Sequence, residues 1–162
     1  MINRCIALGL LAAASTVAQA DVQVKFIQPE KFSDIKDNNG FRDTAVLKDL
    51  EAYLVAQAEK RLPGRDVRIN VTDVNLAGEV EPVGRSTQWL RVMRSVTLPF
   101  MEMNYEVLEG GKVVQQGQVK LRDMNYQNGF NMHSSSDPLR YEKRMIDNWF
   151  KEQFSPEMAS AR

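Results

Sequence analysis

A polar segment at residues 127–136, QNGFNMHSSS, places His133, the only histidine of the chain, beside three serines and just before Asp137. Serine, histidine and aspartate are the side chains of nucleophilic hydrolases, in which the histidine takes the proton of the serine hydroxyl. A triad needs these groups to converge in space beside an oxyanion hole, which sequence neighbours seldom do, and no G-x-S-x-G motif is present. We therefore expect Asp137 to cap a helix whose first residue is Pro138.

Carboxylates offer a second route to enzymatic chemistry, because two of them held in one cleft can act as acid and base. The candidates are Asp73, Asp123 and Glu142. This hypothesis requires Asp123 and His133 to line a common pocket. A small hydrolase-type enzyme is therefore kept as an alternative function, with no catalytic residue assigned.

The oxygen-rich stretch from Asp34 to Gly40 suggests a calcium loop, but its spacing does not fit one. With Gly40 as the glycine of an EF-hand loop, Ile35 stands where an oxygen ligand is needed, and Val46 stands where a glutamate is needed. We expect a turn that leads into a helix. No metal site and no cofactor-binding residue is assigned.

Trp89, Arg91 and Arg94 lie close together in the segment WLRVMRSVT at residues 89–97. Arginines beside an aromatic ring can stack on nucleic acid bases or bind an anionic ligand. The same pattern fits an edge strand, or an extended lead-in, whose arginines pair with nearby carboxylates. Trp89, Arg91 and Arg94 are the candidate partner-binding residues of the chain.

The first twenty residues predict a secretory signal peptide rather than a folded element. Arg4 supplies the positive start, residues 5–17 form an apolar run, and Ala18-Gln19-Ala20 is a cleavage site. The run is too short for a membrane anchor, and Cys5 stands at the wrong end of it for a lipoprotein. We expect cleavage after Ala20 and a periplasmic or secreted protein that is not an integral membrane protein.

The full chain has 21 basic and 21 acidic residues. Removing the signal peptide removes one base, Arg4, and no acid, so the mature chain carries a net charge of −1. This balance gives no electrostatic reason to expect nucleic acid as a partner. The mature chain also lacks cysteine, so its core must stabilise it without a disulfide.

Two stretches have the apolar spacing of amphipathic helices. The first covers residues 41–62, with Asp43 or Thr44 as its cap and Pro63-Gly64 at its end. The second covers residues 139–154, with Glu142, Lys143, Asp147 and Lys151 predicted on its solvated side.

Alternating apolar and polar residues predict strands at residues 22–27 and 66–77, and a β-hairpin within residues 99–126. The two strands that flank the first helix are expected to pair in parallel, and a bulge is expected near Thr72-Asp73. The stretch from Glu79 to Gln88 is predicted as a loop.

The apolar rows of the hairpin face opposite sides if Gly110-Gly111 forms a two-residue loop, because a slip of one residue inverts every side chain. We therefore expect a three-residue loop with Gly111 as a bulge. The predicted pairs are Val107 with Val113, Tyr105 with Gln115 and Met103 with Gly117. Gly117 is then expected to be covered by a helix or by the Tyr105 ring.

These elements predict an α+β two-layer sandwich in the order β-α-β-β-β-α, with a four-stranded mixed sheet and both helices on one face. One domain is expected over residues 21–154, with a disordered tail at 155–162. The opposite face of the sheet is predicted to be polar and partly wet. Its side chains are Glu102, Asn104, Glu106, Gln116, Gln118, Lys120 and Arg122.

Several phrases of the sequence resemble a known family. They are VTDVNLAG (71–78), RVMR (91–94), PFMEMNY (99–105), the glycine spacing that leads to LRDMNY (121–126), and LRYEKRMIDNWF (139–150). Together they resemble an uncharacterised exported proteobacterial family, domain of unknown function 3016. The resemblance implies a one-domain periplasmic or secreted protein, and it carries over no catalytic residue.

The leading hypothesis is a non-enzymatic binding or accessory module for a cell-envelope partner, either a protein or a ligand. It follows from the export signal, the lack of a catalytic constellation and the polar sheet face. A third hypothesis is a small-ligand carrier with its pocket between sheet and helices, lined by Met101, Met103 and Met145. Methionines more often fill a core.

Overall fold

The computed structural model describes residues 20–36, 43–85 and 87–154. Most of the predicted signal peptide, residues 37–40 of the predicted turn, the first two residues of the predicted first helix and the predicted tail lie outside these residues. The elements in chain order are β1 (Val22–Phe26), a 3-10 turn (Pro29–Lys31), α1 (Thr44–Arg61), β2 (Asp66–Asn75), β3 (Glu79–Val83), β4 (Gln88–Val92), β5 (Phe100–Glu109), β6 (Lys112–Arg122) and α2 (Arg140–Phe154). Neither α1 nor α2 is long and apolar enough to cross a membrane.

The main sheet has four strands in the order β1-β2-β5-β6. β1 pairs with β2 in parallel, whereas the β2–β5 and β5–β6 pairs are antiparallel. The parallel pair is the one that α1 connects, as the sequence predicts. The mixed four-stranded sheet and the α+β class are therefore confirmed.

Both helices contribute to one apolar core against the sheet. α1 buries Leu50, Leu54 and Ala58, and the Asp43 carboxylate caps it by accepting the backbone N–H groups of Ala45 and Val46. The buried apolar residues of α2 are Met145, Ile146, Trp149 and Phe150. From the sheet, the core residues include Val67, Ile69, Val71, Met101, Met103, Tyr105 and Val107.

The β5–β6 hairpin has a two-residue turn, not the predicted three-residue loop. Gly110 and Gly111 both have positive φ, 57° and 79°, so two adjacent glycines close the turn without a third residue. The extra residue is Val114, which lies between Val113, opposite Leu108, and Gln115. Side-chain parity is thus restored by a bulge inside β6 and not within the turn.

This bulge places Tyr105 directly opposite Gly117, so the three predicted pairs are wrong. The observed pairs are Val107 with Gln115, Tyr105 with Gly117 and Met103 with Val119. A Cβ at Gly117 would lie 2.9 Å from Cε1 of Tyr105. Of the two predicted covers for Gly117, the Tyr105 ring is therefore the one observed.

The register of β2 shifts between Val71 and Asp73, opposite Met103 and Glu102 of β5. The bulge predicted at Thr72-Asp73 is therefore confirmed. It keeps Val74 on the buried side after the parity of the strand changes.

Residues 79–92 form a second hairpin, β3–β4, which we call the arm. Its two strands make a separate two-stranded sheet. The predicted loop from Glu79 to Gln88 is therefore wrong in its first half, since Glu79–Val83 is a strand. The candidate residues Trp89 and Arg91 lie on β4, which pairs with β3 rather than with the main sheet.

The polar face of the main sheet is largely open to solvent, as predicted. Asn104, Gln116 and Gln118 are exposed, and Glu102 is half-buried beside Lys120, with which it forms an ion pair. The core residues of β5, which are Met101, Met103, Tyr105 and Val107, alternate with this face and lie on the helix side.

Candidate functional site

The chain between β6 and α2, residues 123–139, crosses the outer side of α2 as an irregular segment that we call the strap. A connection of this length without secondary structure is uncommon in a compact domain and is often functional. The α2 side chains that lie beneath it, among them Arg144 and Asp147, bond to residues near both ends of the strap.

Arg144 holds the first part of the strap. Its guanidinium donates to the Asp123 carboxylate at 2.6 Å and to the backbone carbonyls of Tyr126 at 2.8 Å and Asn128 at 3.1 Å. Only 12% of the Arg144 side chain is exposed. A planar group with five donors can fix a backbone turn in this way, which lysine cannot do.

Tyr126 anchors the same part of the strap toward the arm side of the fold. Its ring is buried, packs edge-on against Tyr141 at 4.8 Å, and its hydroxyl donates to the carbonyl of Arg94 at 2.8 Å. Burial raises the pKa of the Tyr126 hydroxyl, which keeps it a donor. The strap therefore touches both α2 and the segment after the arm.

His133 holds the second part of the strap through a cluster that joins both helices. Its Nε2 lies 2.8 Å from Oδ2 of Asp147 and 3.3 Å from the hydroxyl of Tyr53, which donates to the other oxygen of Asp147. Burial, followed by the bond to Asp147, raises the pKa of Tyr53 strongly. The phenol therefore stays protonated and serves as a donor, not as a nucleophile.

Asp137, near the end of the strap, caps the turn that leads into α2, but the helix begins at Arg140 and not at Pro138 as predicted. It accepts the backbone N–H of Leu139 at 2.9 Å and the ammonium of Lys143 at 2.6 Å. Burial alone would raise the pKa of Asp137, but these two donors outweigh burial and hold the pKa below its ordinary value.

Three large apolar side chains of the strap have no cover. Met124, Phe130 and Met132 are 76%, 88% and 73% exposed. Phe130 and Met132 form one wall of a cleft of about 330 Å³, whose other wall is α2 at Arg144 and Asn148. The strap is therefore held firmly by its polar groups while its apolar groups face solvent.

The serine, histidine and aspartate of the sequence do not converge as a triad. His133 bonds to Asp147 and Tyr53, whereas the hydroxyls of Ser134 and Ser136 bond to each other at 2.8 Å. Asp123 lines the cleft under the strap, and His133 is not among its lining residues.

The three candidate carboxylates bond to three different parts of the fold. The Asp73 carboxylate accepts hydrogen bonds from the backbone N–H and the hydroxyl of Ser33. The Asp123 carboxylate accepts a hydrogen bond from the guanidinium of Arg144. Glu142 is buried, against the prediction of a solvated position, because its Oε1 accepts the backbone N–H of Ala77 at 2.6 Å. No cluster of three metal-ligating side chains occurs in the described ranges 20–36, 43–85 and 87–154.

The candidate partner-binding residues Arg91, on the arm, and Arg94, just after it, form the arginine–carboxylate pairs that the sequence suggests. Arg91 donates to Asp34 at 2.8 Å, and both side chains are largely buried. Arg94 pairs with Glu81 through both of its terminal nitrogens. Trp89 is 51% exposed on the arm.

Sequence reasoning missed Tyr53, Arg144 and Asp147 as members of one site, and it placed Lys143 and Asp147 in solvent. Both side chains are mostly buried under the strap. The signal that could have revealed the strap is the phrase NGFNM, in which Phe130 and Met132 stand in an otherwise polar loop.

The fold and the strap define a small α+β two-layer protein with an appended hairpin arm. The chain belongs to the family described as "Protein of unknown function (DUF3016)", whose match covers residues 20–152. The resemblance found in the sequence is thereby confirmed. No curated protein matches the chain.

Among solved structures, the chain is similar to one described as the crystal structure of an uncharacterized protein. The two share 13% identity over 84% of this chain and 87% of the other, with a TM-score of 0.43.

Proposed function

We propose that this protein is an exported, periplasmic binding module without enzymatic activity, which contacts a cell-envelope protein through the strap. The observation that carries the proposal is the contrast within the strap. Its backbone is fixed by buried polar bonds, while Met124, Phe130 and Met132 are held out to solvent.

A fixed backbone favours binding because the partner does not have to order it. Ordering a loop at an interface costs free energy, which a preorganised segment avoids. Arg144 and the His133–Asp147–Tyr53 cluster supply that order from α2 and α1. The strap is thus already in one conformation before any partner arrives.

Exposed aromatic and methionine side chains are the residue types that anchor protein interfaces. Phe130 and Met132 stand beside a cleft whose rim carries amides and charged groups, including Asn148 and Asn128. An apolar centre with a polar rim is the usual composition of such an interface. This composition supports a protein partner.

The bonds of the polar groups support a role without catalysis. Asp123, Glu142 and Asp147 each accept a hydrogen bond that holds two elements of the fold together. The carrier hypothesis has less support, because Met101, Met103 and Met145 are buried in the core and line none of the described clefts.

A photoreactive phenylalanine analogue at position 130 tests the proposal in living cells. We expect the analogue to form a specific adduct with one envelope protein. The adduct should disappear when Met132→Ser is added to the same chain. The matched control places the analogue at Val96, which is 79% exposed in the turn before β5. The same analogue at Trp89 tests the predicted arm site in parallel.

The proposal fails if position 130 gives no adduct, or the same adducts as position 96. Export is tested separately, by fractionation and by sequencing the mature amino terminus, which we expect to begin at Asp21. Because Phe130 and Met132 are exposed, replacing both by serine should change stability by no more than about 1 kcal/mol. Loss of the adduct would then report binding and not unfolding.

A further inference from the structure

β6 leaves the longest unpaired edge of the sheet. In the strand order β1-β2-β5-β6, the two outer strands are β1 with 5 residues and β6 with 11. An outer strand presents a row of free backbone N–H and C=O groups that can template a further strand. This edge is a different surface from the strap, and the inference does not depend on the proposed function.

The residues whose backbone faces outward can be derived from the register. The N–H of Val67 donates to Asp21 and the C=O of Val71 accepts Ile27, so these odd-numbered residues of β2 bond toward β1. Their partners in β5, Val107 and Met103, therefore bond toward β6.

The partners of these β5 residues in β6 are Gln115 and Val119, with Gly117 between them, and their backbones bond inward. The backbones of Gln116, Gln118 and Lys120 consequently face outward. Among the described residues, the outward backbone N–H and C=O groups of Gln116, Gln118 and Lys120 form no hydrogen bond.

Natural proteins protect such edges with proline, with charged side chains, above all lysine, with a bulge or with a covering element. In the regular part of β6 the charged side chains are Lys120 and Arg122 on the wet face, which repel a basic strand and attract an acidic one. β6 has no proline, and its helix-side residues from 115 to 121 carry no charge. Its bulge lies at Val114, near the turn, which leaves the length from Gln115 to Leu121 regular. The edge is therefore competent to accept a strand.

The charge of β6 selects the chemistry of that strand. The strand carries Lys112, Lys120 and Arg122 and no acidic residue. Lys120 forms an ion pair with Glu102 of the neighbouring strand β5. Among the described residues, no carboxylate forms an ion pair with Lys112 or Arg122. Pairing with a second copy of β6 would double the positive charge, and opposite charges are the favourable cross-strand neighbours.

We propose that the free edge of β6 binds an extended acidic segment of a partner protein as a fifth strand of the sheet. Its backbone pairs with Gln116, Gln118 and Lys120, and its carboxylates lie on the wet face beside Lys120 and Arg122. Its alternate residues lie on the helix side, next to the half-buried Val119, and are apolar.

The first test uses a labelled peptide in which glutamate alternates with valine. Amide hydrogen exchange should slow at Gln116, Gln118 and Lys120 when this peptide is added. The inward amides of Gln115, Gly117 and Val119 are internal controls in the same strand and should stay protected throughout. A peptide with lysine in place of glutamate should bind at least tenfold more weakly, with the difference reduced by salt.

The variant Gln118→Pro removes one outward N–H without removing a bond to β5, since proline is tolerated at an edge whose N–H faces solvent. We expect it to fold and to weaken the glutamate peptide at least tenfold. Gln118→Ala keeps the N–H and should bind as the parent does. If Gln118→Pro unfolds, the exchange experiment on the unaltered chain decides the matter alone.

Several results would overturn the proposal. Outward amides that are already protected in the monomer would mean that the chain covers its own edge. If the outward amides became protected from exchange as the protein concentration rose, the edge would pair with a second copy of the chain. Equal binding of acidic and basic peptides, or of Gln118→Pro and its parent, would remove the acidic strand as the occupant.

Discussion

The two hairpins of this protein are stabilised in opposite ways. In β5–β6, Met101, Met103, Tyr105 and Val107 are buried against both helices. In the arm, no residue of β3 or β4 is buried, and the Arg94–Glu81 ion pair joins β3 to the segment that follows the arm. One hairpin is part of the core, and the other is attached to the core.

The difference shows where the arm must get its stability. Exposed ion pairs contribute little, about 0–1 kcal/mol each, so Arg94–Glu81 cannot hold the arm by itself. The tighter contacts lie at the base of the arm. Arg91 reaches Asp34, and Glu142 of α2 accepts the backbone N–H of Ala77. The arm is therefore expected to depend on its base and not on its tip.

Met103→Ala should give the largest loss of stability, because it opens a cavity under the core hairpin. Met103 is fully buried, and such a truncation costs about 2–5 kcal/mol of unfolding free energy. Urea denaturation measures the loss. Asn104→Ala, on the wet side of the same strand, should cost no more than about 0.5 kcal/mol. If the two variants lost equal unfolding free energy, the helix side and the wet side of β5 would not differ in their contribution to stability.

Gly78→Ala should loosen the arm at its base by about 1–3 kcal/mol. Gly78 has a φ of 77°, and a Cβ there would lie 2.6 Å from the carbonyl oxygen of Val92. Hydrogen exchange should show faster amides in β3 and β4, with β5 unchanged.

Gly84→Ala is the control for the Gly78 variant. Its φ is similar, 74°, but a Cβ there meets nothing within 4 Å. The two variants share the backbone strain and differ only in crowding. If Gly84→Ala loosens the arm as much as Gly78→Ala, the close contact with Val92 contributes nothing.

Glu142→Gln should raise the melting temperature by about 2–4 °C at pH 7 and by little at pH 4. Burial raises the pKa of the Glu142 carboxyl above its ordinary 4.5, although the Ala77 N–H and the charge of Arg91 oppose the rise, and Asp137 adds to it. The folded state therefore prefers the protonated form. Stability is lost as pH rises above 4.5 toward the folded-state pKa.

Glutamine stays neutral and can still accept the hydrogen bond from the Ala77 N–H. The stability of the variant should therefore not fall as pH rises from 4.5. Thermal melts from pH 4 to pH 8 measure the difference. A variant that loses stability in parallel with its parent over this range would show that Glu142 is not strained by burial.

The β5–β6 hairpin could be predicted because alternation of apolar and polar residues reports one buried face. Its turn geometry could not, since parity alone does not say whether the extra residue lies in the loop or at Val114. The arm escaped prediction because Glu79–Val83 is wet on both faces and contains Pro82, so it shows no alternation.

The strap could be predicted only as a loop with a helix cap. Its cluster joins Tyr53 to Asp147 across 94 residues, and nothing local in either helix marks that pairing. Glu142 was placed in solvent because charged residues are seldom fully buried without a partner. Its partner is a backbone N–H at Ala77, which carries no sequence signal.

The connection between β2 and β5 leaves and rejoins the sheet at one point, because Asn75 and Phe100 are paired with each other. Everything between them, the arm included, is an excursion whose ends already meet. Each halving of such an excursion lowers its closure cost by only about 0.6 kcal/mol. The sheet should therefore accept a foreign domain spliced into the tip of the arm, provided that the contacts at its base, Ala77 with Glu142 and Arg91 with Asp34, are kept.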